Sequence, residues 1–236
     1  MAVEPLIRPE IFALRPDYAA LSIHAEFVRN GSSDECSMGL LRAACSELDS
    51  APWAEAHLNS WRDAYRSFGA KPQRTPCSAE ALRKRAERDR ALPAVNAVVD
   101  LYNALSVRYA LPIGGEDATV YDGAPTLLQA SGGEPFDTVA EGVAKIEAVD
   151  HGEVIWRDAR GVTCRRWNWR QGTRTRITET TTAMWFVLER LDPMPIQSLL
   201  EAGANLIDGL RRLNPEMRAT QLFLDQDSPT GQRQAR

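Results

Sequence analysis

The chain has no run approaching the roughly 18 consecutive apolar residues that cross a bilayer. Its start, MAVEPLIRPEIF, has neither the basic opening nor the long apolar stretch of an export signal. The expected address is therefore the cytoplasm, with no membrane partner. Cysteine is scarce: Cys36, Cys45, Cys77 and Cys164 stand apart, none in a C-x-x-C pair, and His24, His57 and His151 are scattered. That spacing argues against a structural zinc site, and no Cys/His pair lies close enough in sequence to suggest a nucleophile. Reduced structural thiols are expected, with no metal and no cofactor. There is no excess of positive charge either. Lys and Arg number 28 against 32 Asp and Glu, a net charge of −4.

What is present is ordinary for a soluble globular protein: 44% apolar and 25% charged residues in 236, enough for one domain or a core with an N-terminal extension. The positive charge is clustered. Arg83, Lys84, Arg85, Arg88 and Arg90 fall on one expected helix, and residues 157–176 hold seven arginines against one acid, Asp158. One reading is a solvated face plus an arginine-bearing sheet edge. The other is a polyanion footprint, with Arg83, Lys84, Arg85, Arg88, Arg165 and Arg166 as its RNA-binding candidates.

Along the chain, residues 1–70 read as an αβ segment packed on the core. Tyr18–Val28 alternates as a strand, Ser33–Asp34 caps a helix to about Ser46, and a second helix runs from Pro52 to Phe68. Ser78 is an N-cap candidate for a short basic helix. Val95–Tyr109 carries a helical apolar stripe that Pro112 ends. Gly114-Gly115-Glu116-Asp117 has the composition of a turn. From Thr119 onward, turn chemistry recurs about every 8 to 12 residues, the rhythm of a sandwich or barrel. Met184–Glu189 reads as a buried central strand and Ile196–Leu213 as an amphipathic helix. Residues 71–224 are expected to form the main domain and 225–236 a mobile tail.

Several of these pieces together resemble the B3/B4 domain of the phenylalanyl-tRNA synthetase β subunit, and more closely freestanding B3/B4-domain proteins. The carriers are VVDLYN (98–103), LP (111–112), Asp117, DG (122–123), GE (133–134), WNWRQ (167–171), ITETTT (177–182) and VLE (187–189). They cover about half of the chain in the right order. The resemblance implies an α+β fold with packed β-sheets and flanking helices. It also implies a trans-acting factor that hydrolyses the ester of a mischarged tRNA, with the aminoacylated 3′ end as partner.

The resemblance also assigns roles. Asn103 matches an asparagine of the synthetase editing pocket, and an amide that donates and accepts suits an ester or an attacking water. Glu189 resembles the pocket glutamate, although its spacing from the threonine cluster is about two residues longer here. Gly114 stands where the bacterial pattern carries a histidine, a departure that opens a differently shaped pocket or marks a tight turn with Gly115. Asn103, Glu116 and Glu189 are the catalytic candidates. Gly114, Gly115, Asp117, Glu134, Asn168, Arg170, Thr178 and Thr181 are the substrate-binding candidates. Asn168 and Arg170 alternate with Trp167 and Trp169, so a strand here puts both indoles on one face and the polar pair on the other. An aminoacyl ester is activated, so a positioned water and a donor for the developing oxyanion suffice. Two rival readings remain at this stage: a non-catalytic RNA-binding module, and a free amino-acid binder that has lost the tRNA.

Overall fold

The computed structural model describes residues 4–140 and 142–233. The strands are β1 (Leu6–Ile7), β2 (Ala19–Glu26), β3 (Ile113–Asp117), β4 (Thr126–Gln129), β5 (Pro135–Ala140), β6 (Val143–Ala148), β7 (Val154–Arg157), β8 (Val162–Arg165), β9 (Arg170–Gln171), β10 (Met184–Arg190), β11 (Arg218–Leu224) and β12 (Gln232–Arg233). The helices are α1 (Pro9–Leu14), α2 (Glu35–Ser46), α3 (Ala54–Ser67), α4 (Ser78–Asp89), α5 (Ala97–Tyr109) and α6 (Ile196–Leu213). Among the described residues they build two sheets. One runs β12-β11-β2-β10-β3, and the other runs β1-β4-β7-β8-β5-β6 with β9 paired to β8. The fold is α+β.

Strand alternation divides the core into two layers. On one face of the five-stranded sheet, Leu21, Ile23, Phe186 and Leu188 pack under α5 and α6, against Val98, Leu101, Leu199 and Leu206. On the other face, Ala20, Trp185 and Val187 meet the second sheet through Leu127, Val154 and Trp156, with Trp61 and Tyr65 of α3 closing the side. Trp61, Trp156, Trp167 and Trp185 are fully buried. Each removes roughly 150–250 Å² from water, so this second layer is dominated by four indoles.

Local chemistry sets the helix ends. Asp34 and Ser37 form a reciprocal capping box on α2, and Asn96 caps α5 through the Val99 N–H at 2.9 Å. At α4 the cap differs from expectation. Cys77 holds the N-cap position and Ser78 is the first helical residue, its N–H donated to the Asn168 carbonyl at 3.2 Å.

Residues 1–70, expected as an αβ segment packed on the core, also contribute to its interior. Strand β2 lies between β11 and β10 inside the sheet, and α3 supplies Trp61 and Tyr65 to the indole layer. The segment after Leu224 is likewise tied down over its described part. β12 pairs with β11, and the Pro229 carbonyl accepts the Ile7 N–H at 2.9 Å. Residues 234–236 of the expected tail lie outside the described residues.

Candidate functional site

The turn expected at Gly114–Asp117 is a strand instead. β3 pairs antiparallel with β10 at the sheet edge, with Trp185 opposite Glu116 and Val187 opposite Gly114. Neither Gly114 nor Gly115 adopts positive φ. Their lack of a side chain serves packing. A Cβ on Gly115 would stand 2.8 Å from Tyr102 Cε1 and 3.0 Å from Phe186, whereas one on Gly114 would meet only Val187, at 3.4 Å. Gly115 lets the edge strand lie against α5. Gly114, on the opposite face, leaves open space beside Val187.

That space belongs to a cavity of about 290 Å³ between the two sheets. Gly114 and Val187 form its floor. Glu116 and Glu189 lie at positions two residues to either side of that floor, one on each strand. Trp156, Cys164, the 167–171 segment, the start of α4 and the middle of α5 supply the remaining walls. Larger depressions occur elsewhere on the surface, but neither brings buried carboxyls and an amide together. The volume is near the small end of ligand pockets, roughly 300–1,000 Å³.

Glu189 is 1% exposed and holds three hydrogen bonds. It accepts the Tyr18 hydroxyl at 2.7 Å, the Trp156 indole N–H at 3.2 Å and the Asn168 amide at 3.1 Å. Asn168 in turn accepts the Tyr65 hydroxyl at 2.9 Å. Burial pushes the Glu189 carboxyl up to about 7, against the opposing pull of these donors. Glu116 is also buried and accepts the Tyr121 hydroxyl; burial pushes it up to about 7 as well, again against its hydrogen bonds. Glu189 lies four positions along β10 from Trp185, the partner of Glu116, about 13 Å along the strand. The two carboxyls therefore mark the ends of the site and do not form a dyad sharing one proton.

Asn103 lines the cavity from α5, half-buried, and its amide has no protein partner among the described residues. It is thus available to a ligand. Cys164 also lines the cavity. Burial, then the nearby Glu116 and Glu189, hold its thiol well above the usual range, so it remains neutral and is not a thiolate nucleophile.

The expected strand at Trp167–Gln171 is a turn followed by the two-residue β9. Arg166 and Trp167 adopt φ 47° and 65°, conformations costly for bulky side chains. The Trp167 N–H donates to the Val154 carbonyl at 2.6 Å, which helps hold the kink. The two indoles consequently separate. Trp167 enters the core, while Trp169 lies beneath two guanidinium groups, those of Arg166 at 4.5 Å and Arg170 at 5.9 Å. Arg170 lines the cavity and donates to the Val139 carbonyl at 3.2 Å.

The structure thus brings Asn103, Gly114, Gly115, Glu116, Asn168, Arg170 and Glu189 to one cavity. It leaves four other candidates outside its lining. Asp117 accepts the Thr119 N–H and the Thr181 hydroxyl, and Thr178 and Thr181 bond each other within their own turn. Glu134 accepts the N–H groups of Ser131 and Gly132. All four are turn-forming groups. Tyr18 and Tyr65 went unnoticed in sequence because no local pattern ties them to the site, and Tyr102 and Gln171 stand in the VVDLYN and WNWRQ motifs without a role assigned there.

The proposed RNA contacts divide similarly. Arg83 is buried and donates to the carbonyls of Val107 and Leu48, both at 2.6 Å, while Arg165 forms a bidentate pair with Glu153 at 2.9 and 2.8 Å. Neither can reach a polyanion. Lys84, Arg85 and Arg88 are exposed, with ion pairs to Glu80 or Asp89, and Arg166 is half-buried near Glu153.

Residues 60–201 match the B3/4 domain, more than half of the chain. The chain belongs to the B3/4 domain family. Every residue lining the cavity, from Ser78 to Glu189, lies within this B3/4 region. A crystal structure of an N-terminal fragment of the phenylalanyl-tRNA synthetase β subunit from Pyrococcus horikoshii has a similar fold, with a TM-score of 0.50 at 10% identity. The likeness covers 93% of this chain and 50% of that one, so this B3/4 protein spans half of the neighbour's length. No curated protein matches it in sequence. Among the described residues, no helix is long and apolar enough to cross a membrane, and no cluster of three or more His, Cys, Asp or Glu is placed to hold a metal ion.

Proposed function

We propose that this B3/4 protein is a trans-acting editing factor that hydrolyses the ester linking an amino acid to the 3′ end of a mischarged tRNA. The observation that carries the reading is the unpartnered Asn103 amide in a cavity with two buried carboxyls pushed up to about 7. A general base works best when its pKa lies near the operating pH. Glu189 holds three donors and anchors Asn168, which makes it a positioning group. Glu116 is assigned as the proton acceptor.

In this mechanism, a water oxygen attacks the ester carbonyl carbon as Glu116 takes one of its protons. The Asn103 N–H donates to the carbonyl oxygen as it becomes an oxyanion. Collapse breaks the bond to the ribose oxygen, which receives the proton from Glu116. The products are a free amino acid and an RNA with a free terminal hydroxyl. The neutral Cys164 thiol takes no part.

The deciding experiment incubates the full chain with a panel of mischarged aminoacyl-tRNAs, beside Asn103→Ala. Selective deacylation that falls about 10²–10³-fold in the variant is expected. If every aminoacyl-tRNA stays intact at high enzyme concentration, the hydrolase reading fails. Salt-sensitive RNA binding would then favour the non-catalytic module, and saturable binding of a free amino acid without RNA would favour the small-molecule binder.

A further inference from the structure

A second cavity, of about 450 Å³, lies on the other side of the 166–169 turn. Lys71, Arg74, His151 and Arg166 line it. The N–H groups of Arg74 and Thr75 both donate to the Lys71 carbonyl, at 2.9 and 3.0 Å, folding this segment into a single turn. Both long side chains are exposed, and neither has a partner among the described residues. Two acids also line the cavity. Glu153 is already bound by Arg165 through both oxygens, and Asp150 is exposed. The balance of unengaged charge is positive, despite the net charge of −4 for the whole chain.

The two cavities share a wall. Arg166 lines the second and Trp169 lines the first, with the guanidinium 4.5 Å above the indole. We propose that the second cavity is a phosphodiester subsite for the RNA strand whose acylated end enters the first. Lys71 and Arg74 bind the phosphate oxygens as charged donors, and the Arg166–Trp169 stack guides the strand between the cavities. The volume exceeds what a lone phosphate needs, and the shared wall suits a polymer that continues from one site to the next. The inference rests on the hydrolase reading for its orientation.

The test compares wild type with the double variant Lys71→Ala/Arg74→Ala, whose exposed side chains hold no structural bonds. Two substrates separate the readings: an aminoacylated RNA hairpin with a single-stranded 3′ end, and an aminoacyl ester of adenosine that carries no phosphate. Affinity for the hairpin is expected to fall on the order of tenfold, with the salt slope shallower by about 1.4 for two lost single-strand contacts. Hydrolysis of the phosphate-free ester should be unchanged. Equal hairpin affinity and slope in both proteins overturns the subsite. So does loss of inorganic phosphate binding with RNA binding intact, which assigns the cavity to a free anion. Failure to cleave the phosphate-free ester in wild type counts against the hydrolase reading, and the RNA affinity of the variant still decides the subsite.

Discussion

The Asn168 amide donates to the Glu189 carboxylate at 3.1 Å, although the two residues arrive on different elements, one on a kinked turn and one on a central strand. The same Asn168 side chain accepts the Tyr65 hydroxyl at 2.9 Å. One amide thus satisfies a buried carboxylate and a buried phenol.

Asn168→Ala should therefore destabilise the fold by about 2–4 kcal/mol, because it strips the buried Tyr65 hydroxyl of its acceptor and Glu189 Oε2 of its donor, while Glu189 Oε1 keeps Tyr18 and Trp156. It should also push the Glu189 carboxyl further up by removing a donor. Urea unfolding measures the first effect and carboxyl NMR titration the second. A change below about 0.5 kcal/mol would show that water replaces the amide at no cost.

Glu116 sets a pH dependence whose sign follows from its raised value. Below about 4.5 the carboxyl is neutral in both folded and unfolded chains. Between 4.5 and about 7 the unfolded chain ionises it while the folded chain does not, so folding stability falls as pH rises through this window and levels off above 7. The loss approaches roughly 3 kcal/mol. Glu116→Gln removes that slope, so the melting-temperature advantage of the variant should widen from pH 4.5 to 7 while its hydrolysis drops. His57, lowered by burial to about 4, acts in the opposite direction as pH falls from 6.5. It is common to both proteins and cancels in the comparison. A constant difference across the window would refute the assignment.

The two adjacent glycines should respond oppositely. Gly115→Ala places a methyl against Tyr102 and Phe186 and should cost about 1–3 kcal/mol through overpacking. The Cβ of Gly114→Val meets only Val187, and the cavity beside it has room for the two methyls, so the fold should tolerate it. Thermal melts should separate the pair, and Gly114→Val should lose turnover of its ester while remaining folded. Full activity in Gly114→Val would remove the floor of the proposed site.

Arg83→Ala should act on folding and not on RNA. It deletes bonds to two carbonyls, at Val107 and Leu48, and about 2–4 kcal/mol of stability is at stake. RNA affinity of the folded fraction should keep its salt slope. A slope that falls by about 0.7 would show that Arg83 reaches phosphate after all.

Much of the scaffold was legible in the sequence. The apolar stripe of α6 gave both of its ends, Asp34 announced α2, and the unbroken apolar run at Met184 marked a central strand. Asn103, Glu116 and Glu189 were also named before any geometry. The misreadings share one cause, which is that the deciding partner is remote. Gly114 and Gly115 have turn composition, and only Phe186 and Tyr102 explain why the strand needs Gly115 bare. The alternation Trp167-Asn168-Trp169-Arg170 has strand rhythm, yet Tyr65 and Glu189 draw Asn168 into a kink. Arg83 looked like one more surface cation because the carbonyls it serves lie 24 and 35 residues away.

The pairing of β3 with β10 has a further consequence for how such a site evolves. Its two acids ride on neighbouring strands of one sheet, so the separation of their Cα atoms is locked to main-chain register and rotamer choice moves only the carboxyl tips. A change of preferred cargo must come from the opposite bank, where α4 and α5 present replaceable side chains, or from atoms added at the bare floor position.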